Sequence, residues 1–163
     1  SICGAAETLL IHESISKNKV FKILNHLNES GCTIIGDKKT NKIFKKSLIA
    51  KESDWKTEYL ESKISVKIVK NVNEAIDHIK KYGTNHTECI ISKDKKRIEQ
   101  FTKSIQSSII MTNTSTQFAD GYEFGLGSEV GISTNKVHPR GPVGLEQLVT
   151  YKYVVKGNGQ IRP

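Results

Sequence analysis

The sequence predicts an α/β fold with a mostly parallel sheet flanked by helices. Three observations carry that prediction. Short apolar runs of strand length recur along most of the chain. Between them lie segments whose apolar residues return every third or fourth position, the spacing of a one-faced helix. Residue types that open and close helices stand at the boundaries.

Taken in order, residues 7–12, with Leu9-Leu10-Ile11, read as a short buried strand. Ser16 opens a helical segment with Val20, Phe21, Leu24 and Leu27 on one face, and Gly31 closes it as a left-handed cap. Residues 32–35 form a strand, Gly36-Asp37 a turn, and residues 40–46 a weaker helix. Lys63–Val69 alternates, putting Ile64, Val66 and Ile68 on one strand face. Asn71 then stands three residues before Glu74, the capping-box spacing with asparagine in place of serine or threonine. Val72, Ala75, Ile76, Ile79 and Tyr82 make the stripe of that helix, and Gly83 stops it. Residues 88–91 are a strand, Asp94 caps a helix bearing Ile98, Phe101 and Ile105, and residues 108–111 are a further strand. No internal repeat is evident.

From Asn113 the character changes. Asn113-Thr114-Ser115-Thr116 is polar, Asp120-Gly121 is a turn, and the run from Phe124 to Gly131 is glycine-rich. It does not match GxGxxG after a strand, so it reads as a tight turn and not a phosphate loop. Pro139, Gly141, Pro142 and Gly144 keep the chain irregular. Residues 148–156, with Tyr151 and Tyr153, read as a last strand, suited to pair with a neighbouring subunit.

A length of 163 residues suits one domain, or one domain with an appendage. Apolar content of 36% with 26% charged residues predicts a soluble globular chain. No stretch approaches the roughly 18 apolar residues of a membrane span, and no secretory signal opens the sequence. Ser1 in place of methionine indicates a native start that was removed or lies elsewhere. Cys3, Cys32 and Cys89 are odd in number and widely spaced, which disfavours a disulfide framework and a structural zinc site and fits a reducing cytoplasm. The net charge of +8 raises nucleic acid as a partner. Yet the lysines are spread out, and the one dense knot, Lys93 to Arg97, is interrupted by Asp94 and has no aromatic interleaving. A solvated basic surface that attracts anionic metabolites is the better account.

The chemistry centres on Cys3, at the mouth of the small-residue turn Cys3-Gly4-Ala5-Ala6. If Cys3 lies at or just before a helix start, the free N–H groups there favour a thiolate and can hold an oxyanion. The alternative is a small buried hydrophobe. Asn113 and Ser115 follow a strand end, where open α/β sheets make substrate contacts.

Three separated runs then point one way. Cys3-Gly4-Ala5-Ala6-Glu7-Thr8-Leu9-Leu10-Ile11-His12 resembles the nucleophile segment of the γ-glutamyl phosphate reductases, the glutamate-5-semialdehyde dehydrogenases of the aldehyde dehydrogenase superfamily. The run from Val69 through Ala75, His78-Ile79, Tyr82-Gly83-Thr84 and His86-Thr87-Glu88 to Ile90 is similar to that family's signature. So are Phe124 to Ser133 and His138-Pro139-Arg140-Gly141-Pro142-Val143-Gly144-Leu145-Glu146. The chain departs from the family at Gly4, usually asparagine, and at Pro139, usually alanine.

The resemblance covers this whole chain but only the catalytic and C-terminal portion of the enzyme. It implies an aldehyde-dehydrogenase-type catalytic domain over residues 1–123, an irregular return segment over 124–147 toward a cofactor domain outside the chain, and a C-terminal oligomerisation strand and tail over 148–163. It implies NADPH-dependent reduction of L-glutamyl 5-phosphate to L-glutamate 5-semialdehyde and phosphate, with Cys3 as nucleophile. Glu58 falls where related enzymes put a glutamate on the nicotinamide ribose, the alternative being an exposed loop residue. Arg140 is a candidate clamp for phosphate or carboxylate, or else a structural arginine. His86 is a candidate for substrate contact, or else a loop histidine bonded to backbone. The implied partners are the substrate, the amino-terminal cofactor-binding half, further copies in a dimer or higher homo-oligomer, and the glutamate 5-kinase that makes the substrate; neither nucleic acid nor membrane is among them, and no metal is called for. A catalytically silent scaffold of the same family is the competing expectation, and a basic nucleic-acid module the third.

Overall fold

The computed structural model describes residues 2–163; Ser1 lies outside the described residues. Its main body is a four-stranded parallel sheet in the order β1-β4-β2-β3, made of β1 (Thr8–His12), β2 (Thr33–Gly36), β3 (Leu48–Ile49) and β4 (Lys63–Val69). Thr8 pairs with Ser65 and His12 with Val69, while Thr33 pairs with Lys63 and Gly36 with Val66. The α/β expectation is met, with the parallel strands split between this sheet and a second, two-stranded one.

β4 is central and covered on both sides. Ile64, Val66 and Ile68 join Ile11, Val20, Leu24, Ile34 and Phe44 in one core, beneath α1 (Lys17–Glu29) and α2 (Lys38–Ile43). Ser65, on the other face, is also fully buried. Its hydroxyl pairs with Tyr59 Oη at 2.7 Å. The alternation of β4 was legible; the cover on its second face was not, because it comes from distant segments.

The helix signals work as the sequence indicated. Ser16 accepts from the Lys19 N–H at the start of α1, and Gly31 follows the last turn at φ +84°. Val20 and Leu24 are buried, each contributing about 1.5–3 kcal/mol. Phe21 stays 44% exposed and leans on Phe44, ring centroids 5.8 Å apart. Asn71 accepts from Glu74 N–H at the start of α3 (Val72–Tyr82). The Glu74 carboxylate reaches past Asn71 to accept from Lys70 N–H at 2.8 Å, which holds its pKa below the usual range.

The second parallel pair is β5 (Thr87–Ile90) with β6 (Ile109–Thr112), linked by α4 (Lys95–Ser104) under an Asp94 cap. Ile76, Phe101 and Ile105 pack α3 and α4 against Ile90 and Ile110 on one face of the pair. Ile109, Met111, Cys89 and Ala119 make a smaller core on the other face.

Two segments differ from expectation. The stretch expected to be wholly irregular contains an antiparallel pair, β7 (Gly131–Ser133) with β8 (Gly141–Val143). Ile132 pairs with Pro142, a residue type that suppresses a strand reading and is tolerated only at such an edge. The last strand, expected over 148–156 as one suited to pair with a neighbouring subunit, has no partner and forms no ladder among the described residues. A lone extended segment cannot satisfy its backbone groups with itself, so it lies exposed, Tyr153 at 83% and Val155 at 92%. Among the described residues, no helix is long and apolar enough to cross a membrane.

Candidate active site

Cys3 does not stand before a helix. Ala5 N–H donates to the Ile2 carbonyl at 3.0 Å, so Cys3 occupies the first corner of a tight turn that runs on into β1. The helix-start route to a thiolate is therefore absent: Leu9 to Ile11 are taken up by pairing with Val66 to Ile68 in the parallel sheet. The buried-hydrophobe alternative is also excluded for this chain, since Cys3 is exposed.

Gly4, beside it, is buried against the short 3₁₀ turn Thr116–Phe118 that follows β6. A Cβ on Gly4 would sit 2.7 Å from the Thr116 carbonyl oxygen and 3.3 Å from Gln117 Cα. The requirement is steric, a close approach of two backbones. Gly4→Ala is expected to cost about 1–3 kcal/mol, as overpacking does. Urea denaturation checks it; an alanine variant as stable as the parent contradicts the contact.

Asn113 and Ser115 belong to the loop that makes this contact. Asn113, at φ +55°, accepts from Ser92 N–H at 2.8 Å. Ser115 Oγ accepts from Gln117 N–H and caps the 3₁₀ turn. Thr116, which sequence reasoning missed, donates its hydroxyl to the Gly4 carbonyl at 2.6 Å. Nothing local signals a bond that joins residues 112 apart.

Glu58 lies at the same end. It is exposed, just beyond the 3₁₀ turn Glu52–Lys56. Burial raises the Glu7 carboxyl pKa, and the nearby Glu58 charge raises it further, so the two carboxylates adjoin at the start of β1.

His86 and Arg140 belong to a different place. His86 precedes β5 and shares a 2.7 Å hydrogen bond with Thr87 Oγ1. Arg140 donates through Nη2 to the Gln106 carbonyl, just before β6. Both sit at the leading edge of the β5–β6 pair, whereas Asn113 follows its trailing edge roughly 13 Å away, the rise of four strand residues. The six candidates thus fall into two groups: Cys3, Glu58, Asn113 and Ser115 at one, His86 and Arg140 at the other.

The other cysteines have local tasks. Cys89 Sγ donates to the Thr114 carbonyl at 3.1 Å. Burial pushes the Cys32 thiol pKa up. Among the described residues no group of three or more His, Cys, Asp or Glu side chains is arranged to hold a metal. Gly125 and Gly127 take positive φ and lead to β7, with no helix after them to bind phosphate.

Against solved structures, the fold matches a propionaldehyde dehydrogenase from the Clostridium phytofermentans fucose utilisation microcompartment, TM-score 0.58 at 17% identity, covering 87% of this chain and 40% of that one. The parallel strands flanked by helices make a fold of the aldehyde-dehydrogenase type. The crystal structure of a γ-glutamyl phosphate reductase from Thermotoga maritima superposes with a TM-score of 0.93 at 46% identity, covering 99% of this chain and 39% of that one. A Mesorhizobium japonicum protein named γ-glutamyl phosphate reductase is 48% identical over 162 residues, 99% of this chain and 38% of its own length. No protein-family model matches the chain. The chain belongs to the γ-glutamyl phosphate reductase family, and spans 38% of the length of the curated relative it matches.

Proposed function

We propose that this chain carries the nucleophile of an enzyme that reduces L-glutamyl 5-phosphate to L-glutamate 5-semialdehyde and phosphate with NADPH, the second step of proline biosynthesis from glutamate. The supporting observation is Cys3, exposed on a turn whose neighbour Gly4 is fixed from behind, in a chain of this family.

The acyl phosphate is already activated, so the site needs a nucleophile more than a strong acid. Cys3, as thiolate, attacks the acyl carbon. A C–S bond forms, the bond from carbon to the phosphate oxygen breaks, and phosphate leaves with that electron pair. The Cys3 backbone N–H donates to the carbonyl oxygen as it gains charge. A nicotinamide cofactor, when bound with its ribose on Glu58, would supply the hydride needed to bring the acyl group on Cys3 to the aldehyde level. Cleavage of the C–S bond then releases the semialdehyde and returns Cys3 to thiolate. Asn113 and Ser115, on the loop against Gly4, are the substrate contacts of this reading; the His86 carbonyl accepts from Ile109 N–H of β6, and Arg140 ties the β7–β8 segment to the Gln106 carbonyl.

The chain's own residues fit the nicotinamide cofactor only at its ribose, through Glu58. The glycine run at 125–131 offers no pyrophosphate cradle, so the rest of that site falls to the amino-terminal portion its relatives possess. The exposed tail at 148–163 completes its ladder on a second copy of the chain.

The test is the reverse reaction: NADP⁺ reduction with glutamate semialdehyde and phosphate, for the present chain and for the reading frame extended upstream of Ser1. Turnover by the extended protein alone is expected. A folded extended protein without turnover would leave the scaffold reading in its place.

A further inference from the structure

We infer that Thr116 is a positioning residue for Cys3, acting through the Gly4 carbonyl. The inference rests on the reading of Cys3 as nucleophile and adds a residue to it.

The ladder's nearest hydrogen bond, Ser65 N–H to the Glu7 carbonyl at 2.9 Å, holds the chain after the Cys3 turn and not the turn itself. Its own hydrogen bond, Ala5 N–H to the Ile2 carbonyl, closes the turn but does not aim it. The aim comes from elsewhere. Thr116 Oγ1–H donates to the Gly4 carbonyl at 2.6 Å, in the second peptide unit after the Cys3 Cα. Gly4, lacking a Cβ, lies flat on the Thr116–Gln117 backbone. One contact stops the turn moving inward and the other stops it lifting away.

The support is itself firm. Cys89 Sγ, from within β5, holds the Thr114 carbonyl. Asn113 N–H donates to the Ile90 carbonyl at 2.9 Å while its side chain takes the Ser92 N–H. Ala119, 2% exposed, seals the far side of the loop against Ile109 and Met111. The hydroxyl of Thr116 is thus the link through which the second sheet sets where the sulfur of Cys3 stands. A shift of about 1 Å in a reacting group costs on the order of 10²-fold in rate.

The test compares Thr116→Ala with Thr116→Ser in the extended enzyme by the reverse reaction. The alanine variant is expected to lose about 30- to 100-fold in kcat, with KM for the semialdehyde within about threefold of the parent. The serine variant keeps the donor and should stay within about threefold in kcat. Thr40→Ala is the matched control: it deletes a buried hydroxyl that donates to the Val66 carbonyl in the other sheet, and should lower stability without lowering kcat. An alanine variant with unchanged kcat, or with the loss confined to KM, overturns the inference. So does a serine variant that folds yet falls below a tenth of parental kcat, whatever becomes of the alanine variant. Cys3→Ala in the same assay separates the two claims: if it still turns over, the reading of Cys3 itself fails; if it is dead while Thr116→Ala is normal, only the positioning role does.

Discussion

Cys3→Ala in the extended enzyme is expected to cut turnover by about three orders of magnitude or more, as loss of a nucleophile does elsewhere. The expectation follows from the division of labour at the site. Without the sulfur there is no covalent acyl carrier, and nothing else on this edge offers a comparable nucleophile. Asn113 and Ser115 are engaged in holding their own loop. Glu7 and Glu58 are carboxylates, weaker nucleophiles toward an acyl carbon than a thiolate. The fold should survive, because Cys3 is exposed and its turn is held by Ile2, Ala5 and Gly4 backbone groups. The check is steady-state turnover together with a urea midpoint. A drop of less than about tenfold in a folded variant would move the nucleophile elsewhere.

The second large effect is on stability and concerns Glu88 and His78, which titrate in opposite senses. Burial pushes the Glu88 carboxyl up to about 7, with the Ser107 hydroxyl, at 3.2 Å, pulling it partly back. A carboxyl whose folded pKa is raised stabilises the fold below its unfolded pKa of 4.5 and loses that contribution as pH rises through about 7. His78, on α3, is 6% exposed. Burial, and then the Lys67 ammonium on β4 at 3.4 Å, bring its pKa down to about 4. Glu52, beside the Trp55 turn, and Glu74 on α3 oppose that shift, and Lys81 adds to it. His78 therefore costs stability as pH falls from 6.5 toward 4.

The two slopes oppose each other in the parent chain across mildly acidic pH. Glu88→Gln removes one of them. The advantage of the glutamine variant over the parent should be larger at pH 8 than at pH 5 by about 2–3 kcal/mol, each unit of pKa shift being worth 1.36. Comparing the two pH values removes any constant cost of the buried amide. Chemical denaturation of both proteins at each pH reads the effect. The variant should also lose more stability than the parent on acidification from 6.5 toward 4.5, because the opposing contribution of Glu88 is gone. A difference between variant and parent that does not change with pH would show that Glu88 does not titrate in this range.

Much of the fold is legible locally. Ser16, Asn71 and Asp94 each accept backbone N–H groups at a helix start, and their helices begin where those residue types imply. β4 reads from its own alternation, down to its bounds. What failed is non-local. β3 has two residues and exists only because β2 lies beside it. β8 hides behind Gly141 and Pro142. The tail at 148–156, read as a strand for a neighbouring copy, forms no ladder among the described residues. At the site, Cys3 was visible as a chemical group within a family motif, whereas its setting was not. The sequence shows a glycine where the family usually has asparagine; only the packing shows that the Thr116 carbonyl fills the space a Cβ would need. His86 and Arg140, candidate substrate contacts, lie at the leading end of the β5–β6 pair, whereas Asn113 follows its trailing end.

The central claim is that Cys3 carries the acyl group, and one measurement addresses it directly. The extended enzyme is incubated with glutamate semialdehyde and NADP⁺ without phosphate, quenched in acid and mapped by mass spectrometry. Without phosphate to accept it, the acyl group should accumulate as a glutamyl thioester on the peptide that contains Cys3, and added phosphate should discharge it. Turnover with the peptide unmodified, or with the adduct on another residue, contradicts the account.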